Sequence, residues 1–240
     1  MSKVGAILIA LFFAIVLLMT IPAYANAAYI QSKADDNDST SQLSITFNNP
    51  VTAGSMLVVA IRIGNAGHAT ITSNPAATWT EDNWLQYYGW SVSVLSAPNV
   101  PGGTTTVTAT IPGSADVVRM TIHEYSGMAT TAPAHKTATG TGTSGTATTG
   151  SVTTTIDNCL LFCAVATDSD LLGFRAGSGY TLRANGGEKI QTEDRGPVAA
   201  GTYSGVMSLN SDTWAAILVA YKPASSTDSP PAPPLNLDIK

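Results

Sequence analysis

Val117-Val-Arg-Met-Thr-Ile-His-Glu-Tyr-Ser-Gly127 is a long β-type run near the middle of the chain. Successive side chains of a strand alternate between faces. Val118, Met120 and Ile122 therefore share one face, and Arg119, Thr121, His123 and Tyr125 the other. Strands rich in aromatic residues precede this run, and a second set of strands follows a Thr/Gly/Ala segment. The two sets are expected to close one sandwich across it.

Working outward toward the N-terminus, residues 104–111 alternate strictly, with Thr105, Val107, Ala109 and Ile111 opposed to Thr104, Thr106, Thr108 and Thr110. Pro112-Gly-Ser predicts a turn into the central run. Residues 84–95 read as one strand. The connection 64–83 is weakly patterned, with short strands at 70–72 and near Trp79. Residues 56–63 are almost wholly apolar up to Arg62, the mark of a strand covered on both faces. Leu43, Ile45 and Phe47 alternate with Gln42, Ser44 and Thr46, predicting a half-buried strand. Ala34-Asp-Asp-Asn-Asp-Ser-Thr-Ser41 reads as a polar turn after a short first strand.

Toward the C-terminus, residues 128–150 are dominated by Thr, Ala and Gly. They lack a periodic apolar face, which predicts a long low-complexity surface loop or irregular edge. Strands follow at 152–156 and 159–167. Residues 180–184 and 188–192 flank Asn185-Gly-Gly, a hairpin signal, because a type I′ turn needs positive φ at both central positions. Residues 197–203, 205–209 and 213–221 complete the set. No segment keeps a 3.6-residue period beyond two turns. The expected fold class is all-β: a two-sheet antiparallel β-sandwich, jelly-roll or Ig-like.

The ends read differently. A basic Met1-Ser-Lys, an apolar run over 4–21 and the small-x-small sites Ala23-Tyr-Ala25 and Ala25-Asn-Ala27 have the signal-peptide pattern. The competing reading is a retained anchor, since about 18 apolar residues can span a bilayer. The expected organisation is a signal peptide over 1–25, a sandwich domain over 26–223 and a Pro-rich linker or tail over 224–240. The expected location is secreted or cell-surface. Leu235-Asn-Leu-Asp-Ile239 alternates like a lone strand and resembles the entry of a fibronectin type III module, which suggests self-association by strand addition.

Charged residues make up only 11% of the 240, so the polar surface must be Thr, Ser, Asn and Gly. Net charge is −5 and the basic residues are scattered, which argues against nucleic-acid binding. Cys159 and Cys163 stand four apart on one strand, about 13 Å at ~3.3 Å per residue, too far to bridge, and read as buried free thiols.

Glu124-Tyr-Ser-Gly127, the Thr/Gly-rich stretch behind it and Trp214…Tyr221-Lys-Pro-Ala224 resemble a group of secreted bacterial β-sandwich modules, over roughly 29–223. That resemblance implies a β-sandwich in a large surface protein and hands over no catalytic residues.

The richest candidate site is Trp79-Thr-Glu-Asp-Asn-Trp84-Leu-Gln-Tyr87-Tyr-Gly-Trp90. Sugars stack on exposed aromatic rings while carboxylates and amides bond their hydroxyls. Trp79, Trp84 and Tyr87 would form the platform, and Glu81, Asp82, Asn83 and Gln86 the polar contacts. Trp90 is in phase with Val92 and Val94 and reads as core. Asp35, Asp36 and Asp38, and Asp168 and Asp170, are candidate calcium ligands, with solvated turns as the default, since calcium needs six to eight oxygens. No G-x-S-x-G or H-E-x-x-H occurs, and His68, His123 and His135 are isolated. Glu124 reads as a strand-end carboxylate paired with Arg or exposed, with a glycosidase acid or a promoter of crosslinking to Lys33 or Lys222 as sharper alternatives. The Thr104–Thr110 row reads as ordinary exposed strand. The function expected is an exported, non-catalytic adhesion or carbohydrate-binding module at the cell surface. A structural subunit of an extracellular fibre or surface layer is the first alternative and a glycan hydrolase the second.

Overall fold

The computed structural model describes residues 26–225 except 66, 171, 172 and 187. The expected signal peptide and the tail strand Leu235-Asn-Leu-Asp-Ile239 lie outside the described residues.

The described chain is all-β, and its sheets are antiparallel. Its first half contains β1 (Ala28–Thr46), β2 (Met56–Ile63), β3 (Thr70–Asn74), β4 (Thr80–Tyr87), β5 (Trp90–Ala97) and β6 (Thr106–Ser126). The second half contains β7 (Ala134–Thr148), β8 (Val152–Thr154), β9 (Cys159–Thr167), β10 (Thr181–Asn185), β11 (Ile190–Val198), β12 (Gly201–Tyr203) and β13 (Val206–Tyr221). The first sheet runs β1-β6-β2-β5-β4, with β3 added to β6, and the second runs β10-β11-β9-β13-β7.

β6 alternates as its sequence predicts. Val118, Met120 and Ile122 enter a core enclosed by the curl of the first sheet, together with Leu57, Val59, Ile61, Leu43 and Ile45. Tyr125, on the opposite face, enters a second core between the sheets, shared with Val58, Val92, Phe162, Ala164, Ile217 and Tyr221. A third core lies on the far side of the second sheet, around Leu161, Cys163, Trp214 and Leu218. Three cores explain the strands that are buried throughout. β2, β5 and β9 each separate two core layers, so both faces of each are buried, and the polar residues they carry, among them Arg62, Ser91, Ser93 and Ser96, are buried with them. Cys159 and Cys163 are free and buried on one face of β9.

The two halves share one topology. Reading each path from its long edge strand gives β1-β6-β2-β5-β4 and β7-β13-β9-β11-β10. Register matches as well: Tyr125 lies opposite Tyr29 and Met56, and Tyr221 lies opposite Ala134 and Leu160. Edge strand β4 comes alongside β7, and its counterpart β10 alongside β1. The arrangement is pseudo-two-fold.

Four local expectations need correction. Residues 128–150 are not mainly loop: β7 pairs with β13 from Ala134 to Thr148. Thr137, Thr139, Thr141 and Thr143 are exposed and alternate with small residues. The small residues are required sterically. A Cβ on Gly140 would meet the Thr148 carbonyl, and one on Gly142 would lie 2.6 Å from Cζ2 of Trp214. The turn expected at 34–41 lies inside β1, with Asp35, Asp36 and Asp38 opposite Met120, Arg119 and Val117. The turn expected at Pro112-Gly-Ser is an irregularity within β6, where the β1 register shifts between Thr40 and Gln42. The strand expected over 84–95 is a hairpin, broken at Tyr88, whose φ is 52°, and Gly89.

Gly142→Ala is expected to destabilise the protein by about 1–3 kcal/mol through overpacking against Trp214, which is only 4% exposed. Thr141→Ala, on the exposed face, should stay within about 0.5 kcal/mol. Urea unfolding followed by tryptophan fluorescence reads both.

Candidate functional site

β4 carries most of the predicted site, and its pairing with β5 sorts those residues onto two faces. Glu81 lies opposite Leu95, Trp84 opposite Ser93 and Gln86 opposite Ser91, on the face toward the first core. Asn83 lies opposite Val94 and Tyr87 opposite Trp90, on the face toward the core between the sheets. Asp82 occupies an irregularity between Glu81 and Asn83, and its Oδ2 accepts a 2.7 Å hydrogen bond from Tyr221 Oη.

The three predicted aromatic residues therefore do not form one platform. Trp79 packs against the first core and donates to Ser73 Oγ at 3.3 Å. Tyr87 packs against the core between the sheets, edge-on to Trp90. Trp84 remains, half-buried, with Nε1 donating to the Gly67 carbonyl at 3.4 Å. The His68 ring stacks on its indole with centroids 4.3 Å apart. His68 Nδ1 lies 2.8 Å from Glu81 Oε2, and Ser93 Oγ donates to Glu81 Oε1 at 2.9 Å. His68 was missed by sequence reasoning because it belongs to the connection before β3 and meets Trp84 only through folding.

The opposite face of β4 borders a cleft of about 740 Å³. Its walls include Thr78 and Thr80 before and on β4, Pro98 and Asn99 after β5, and the segment from Thr130 to Ala134 joining the two halves. Of the seven predicted glycan contacts, Asp82 alone lines this cleft, and it is the only carboxylate among the lining residues. Burial raises the Asp82 pKa from its ordinary value, opposed by its hydrogen bond from Tyr221. No sequence signal marked the cleft, because three separated connections assemble it.

Four of the five candidate calcium ligands lie within ion-pair distance of a basic side chain. Arg119 Nη1 lies 2.8 Å from Asp38 and 3.6 Å from Asp36. Arg62 lies 3.9 Å from Asp168, and Lys189 Nζ 3.4 Å from Asp170. Asp35 Oδ1 accepts from the Asp36 amide. Among the described residues no group of three or more His, Cys, Asp or Glu is placed to hold a metal ion.

Glu124 is not exposed, and among the described residues it is not paired with Arg. It is fully buried, accepting from Gln31 Nε2 at 2.7 Å, the Thr52 amide at 2.8 Å and Ser55 Oγ at 2.9 Å. It ties β1 and the 52–55 turn to β6. Lys33 Nζ donates to the Thr46 carbonyl. In the row Thr106 and Thr108, the hydroxyls pair across strands with Thr46 and Ser44.

Comparison with protein-family models, curated proteins and solved structures finds no match.

Proposed function

We propose that the chain is an exported, non-catalytic module of the cell surface, a β-sandwich of jelly-roll or Ig-like type that binds carbohydrate along the edge strand β4. The observation that carries this reading is the half-exposed Trp84 on an edge strand, with Glu81 and Gln86 on the same face and His68 stacked against the ring. An aromatic surface flanked by a carboxylate and an amide suits a sugar ring and its hydroxyls. The leader-like segment before residue 26 and the Thr/Ser/Asn-rich surface support export. Trp79 and Tyr87 serve packing in this reading, so the contact set narrows to Trp84, Glu81 and Gln86.

Titrating the protein with a panel of soluble polysaccharides, followed by tryptophan fluorescence, tests it. A saturable shift is expected, weakened at least tenfold in Trp84→Ala. Unchanged binding in Trp84→Ala would rule out this face. A flat response across the panel would overturn the carbohydrate reading in favour of a structural subunit.

A further inference from the structure

The pseudo-two-fold places the same structural position at two poles of the molecule, and the two are filled differently. At one pole, Tyr125 Oη and Arg183 Nε both donate to Asp194 Oδ2, at 2.7 and 2.8 Å. The Arg183 guanidinium lies 3.8 Å from the centroid of the Tyr29 ring. This pole is a closed set of carboxylate, phenol, cation and aromatic ring.

Register identifies the counterparts. Tyr221 stands at the position of Tyr125, and Ala134 at that of Tyr29. Ser96 takes the place of Asp194, since each lies opposite the first threonine of its edge strand, Thr80 or Thr181. Asp82 and Arg183 both fall where the edge-strand register shifts. The phenol–carboxylate bond is kept, because Tyr221 Oη donates to Asp82 at 2.7 Å. The cation and the ring are not kept. Alanine replaces Tyr29, and among the described residues no Lys, Arg or His forms an ion pair with Asp82. The 740 Å³ cleft is lined by both Asp82 and Ala134, the residues at the register positions of Arg183 and Tyr29.

We propose that this cleft binds a small organic cation through its ammonium or guanidinium group, with the charge held by the Asp82 carboxylate. Its volume falls in the range of small-molecule sites, about 300–1,000 Å³. Pro98, Pro101 and Pro133 supply apolar walls, while Thr80 and Asn99 supply hydrogen-bonding groups. A carboxylate drawn out of water gains from a counter-cation in the same low-dielectric space. The acidic balance of the chain, −5, favours the approach of cations. The site is on the opposite face of β4 from Trp84 and does not depend on the carbohydrate reading.

Isothermal titration calorimetry of the full chain at low salt, near neutral pH, tests the proposal. L-Arginine amide and D-glucosamine are the cationic probes, and N-acetylglucosamine is the neutral counterpart. Saturable binding of at least one cationic probe is expected, at least tenfold stronger than the neutral sugar. Preference between the two cations distinguishes a guanidinium from an amino-sugar source. Asp82→Asn should weaken binding at least tenfold. Ala134→Tyr, which restores the ring of the other pole, should abolish it without lowering the melting temperature. Trp84→Ala should leave it unchanged, separating this site from the carbohydrate face. Absence of binding by both cations, equal binding by the neutral sugar, or full binding by a folded Asp82→Asn protein would overturn the proposal.

Discussion

Phe162→Ala is expected to destabilise the protein by about 3–5 kcal/mol, the range for deleting a buried aromatic ring. Phe162 is fully buried in the core between the sheets, on β9, the middle strand of the second sheet. Its ring meets His123 edge-on with centroids 4.9 Å apart, and Tyr125 edge-on at 6.4 Å. Such aromatic pairs contribute roughly 0.5–1.5 kcal/mol beyond area burial. The surrounding strands are hydrogen-bonded on both sides and cannot collapse into the space left. Urea unfolding should show a lower midpoint with an unchanged slope, the signature of lost stability without a changed unfolding surface. A loss below about 1 kcal/mol would contradict the packing of this layer.

Opposite pH responses are expected from two buried groups. His123 is fully buried, with Nε2 3.1 Å from Thr121 Oγ1 and 3.3 Å from Thr192 Oγ1, and Nδ1 has no hydrogen-bond partner among the described residues. Burial, aided by the charge of Arg183, lowers its pKa to about 3 from 6.5. The folded state keeps it neutral while the unfolded chain takes a proton. Its stabilisation is complete above pH 6.5 and is lost as pH falls toward 3. Glu193 is also fully buried, with Oε2 accepting from the Gly177 amide at 2.8 Å. Burial raises its pKa to about 7 from 4.5. Its stabilisation is complete below pH 4.5 and is lost as pH rises through 7.

Between pH 6.5 and 4.5 the two contributions move by about 2 kcal/mol each in opposite directions, at 1.36 kcal/mol per pKa unit. They offset one another in the wild type. Glu193→Gln should therefore lose about 2 kcal/mol relative to wild type on acidification across this window, and His123→Gln should gain about as much. Urea unfolding free energies at the two pH values measure the slopes, and the exposed carboxylates common to all three proteins cancel in the comparison. Variants that track the wild type would show that these groups titrate alike in the folded and unfolded states.

The parts of the fold that were legible in sequence are those whose residues either alternate with a period of two or run continuously apolar. The β6 faces, the almost wholly apolar β2 and the buried end of β13 were read from their own residues alone. β7 was not, although its Thr/Gly alternation has the same period. The pattern was hidden because the inward residues are glycine and alanine, small for steric reasons rather than apolar for burial. The aspartates of β1 looked like a turn because their partner, Arg119, is some eighty residues away. Within the site, Trp84 was identified by its neighbours, but the facing of Trp79 and Tyr87 depends on the irregularity at Asp82, which composition does not reveal. The internal duplication was also invisible. Register and strand order carry it, while counterparts such as Tyr29 and Ala134 share no chemistry.

That duplication recasts the interior. Where β4 meets β7 and β10 meets β1, the contact is isologous: the same two elements, exchanged. In point-group terms the chain is a pseudo-C2 pair of halves sharing one strand order, joined covalently through residues 127–133. A true homodimer must display each side chain at both symmetry-related poles, so a paired carboxylate would occur twice and a vacant one twice. Covalent joining lifts that constraint. One pole is completed internally by Arg183 and Tyr29, and the other keeps Asp82 beside Ala134, so a ligand at that pole binds with a stoichiometry of one per chain rather than two.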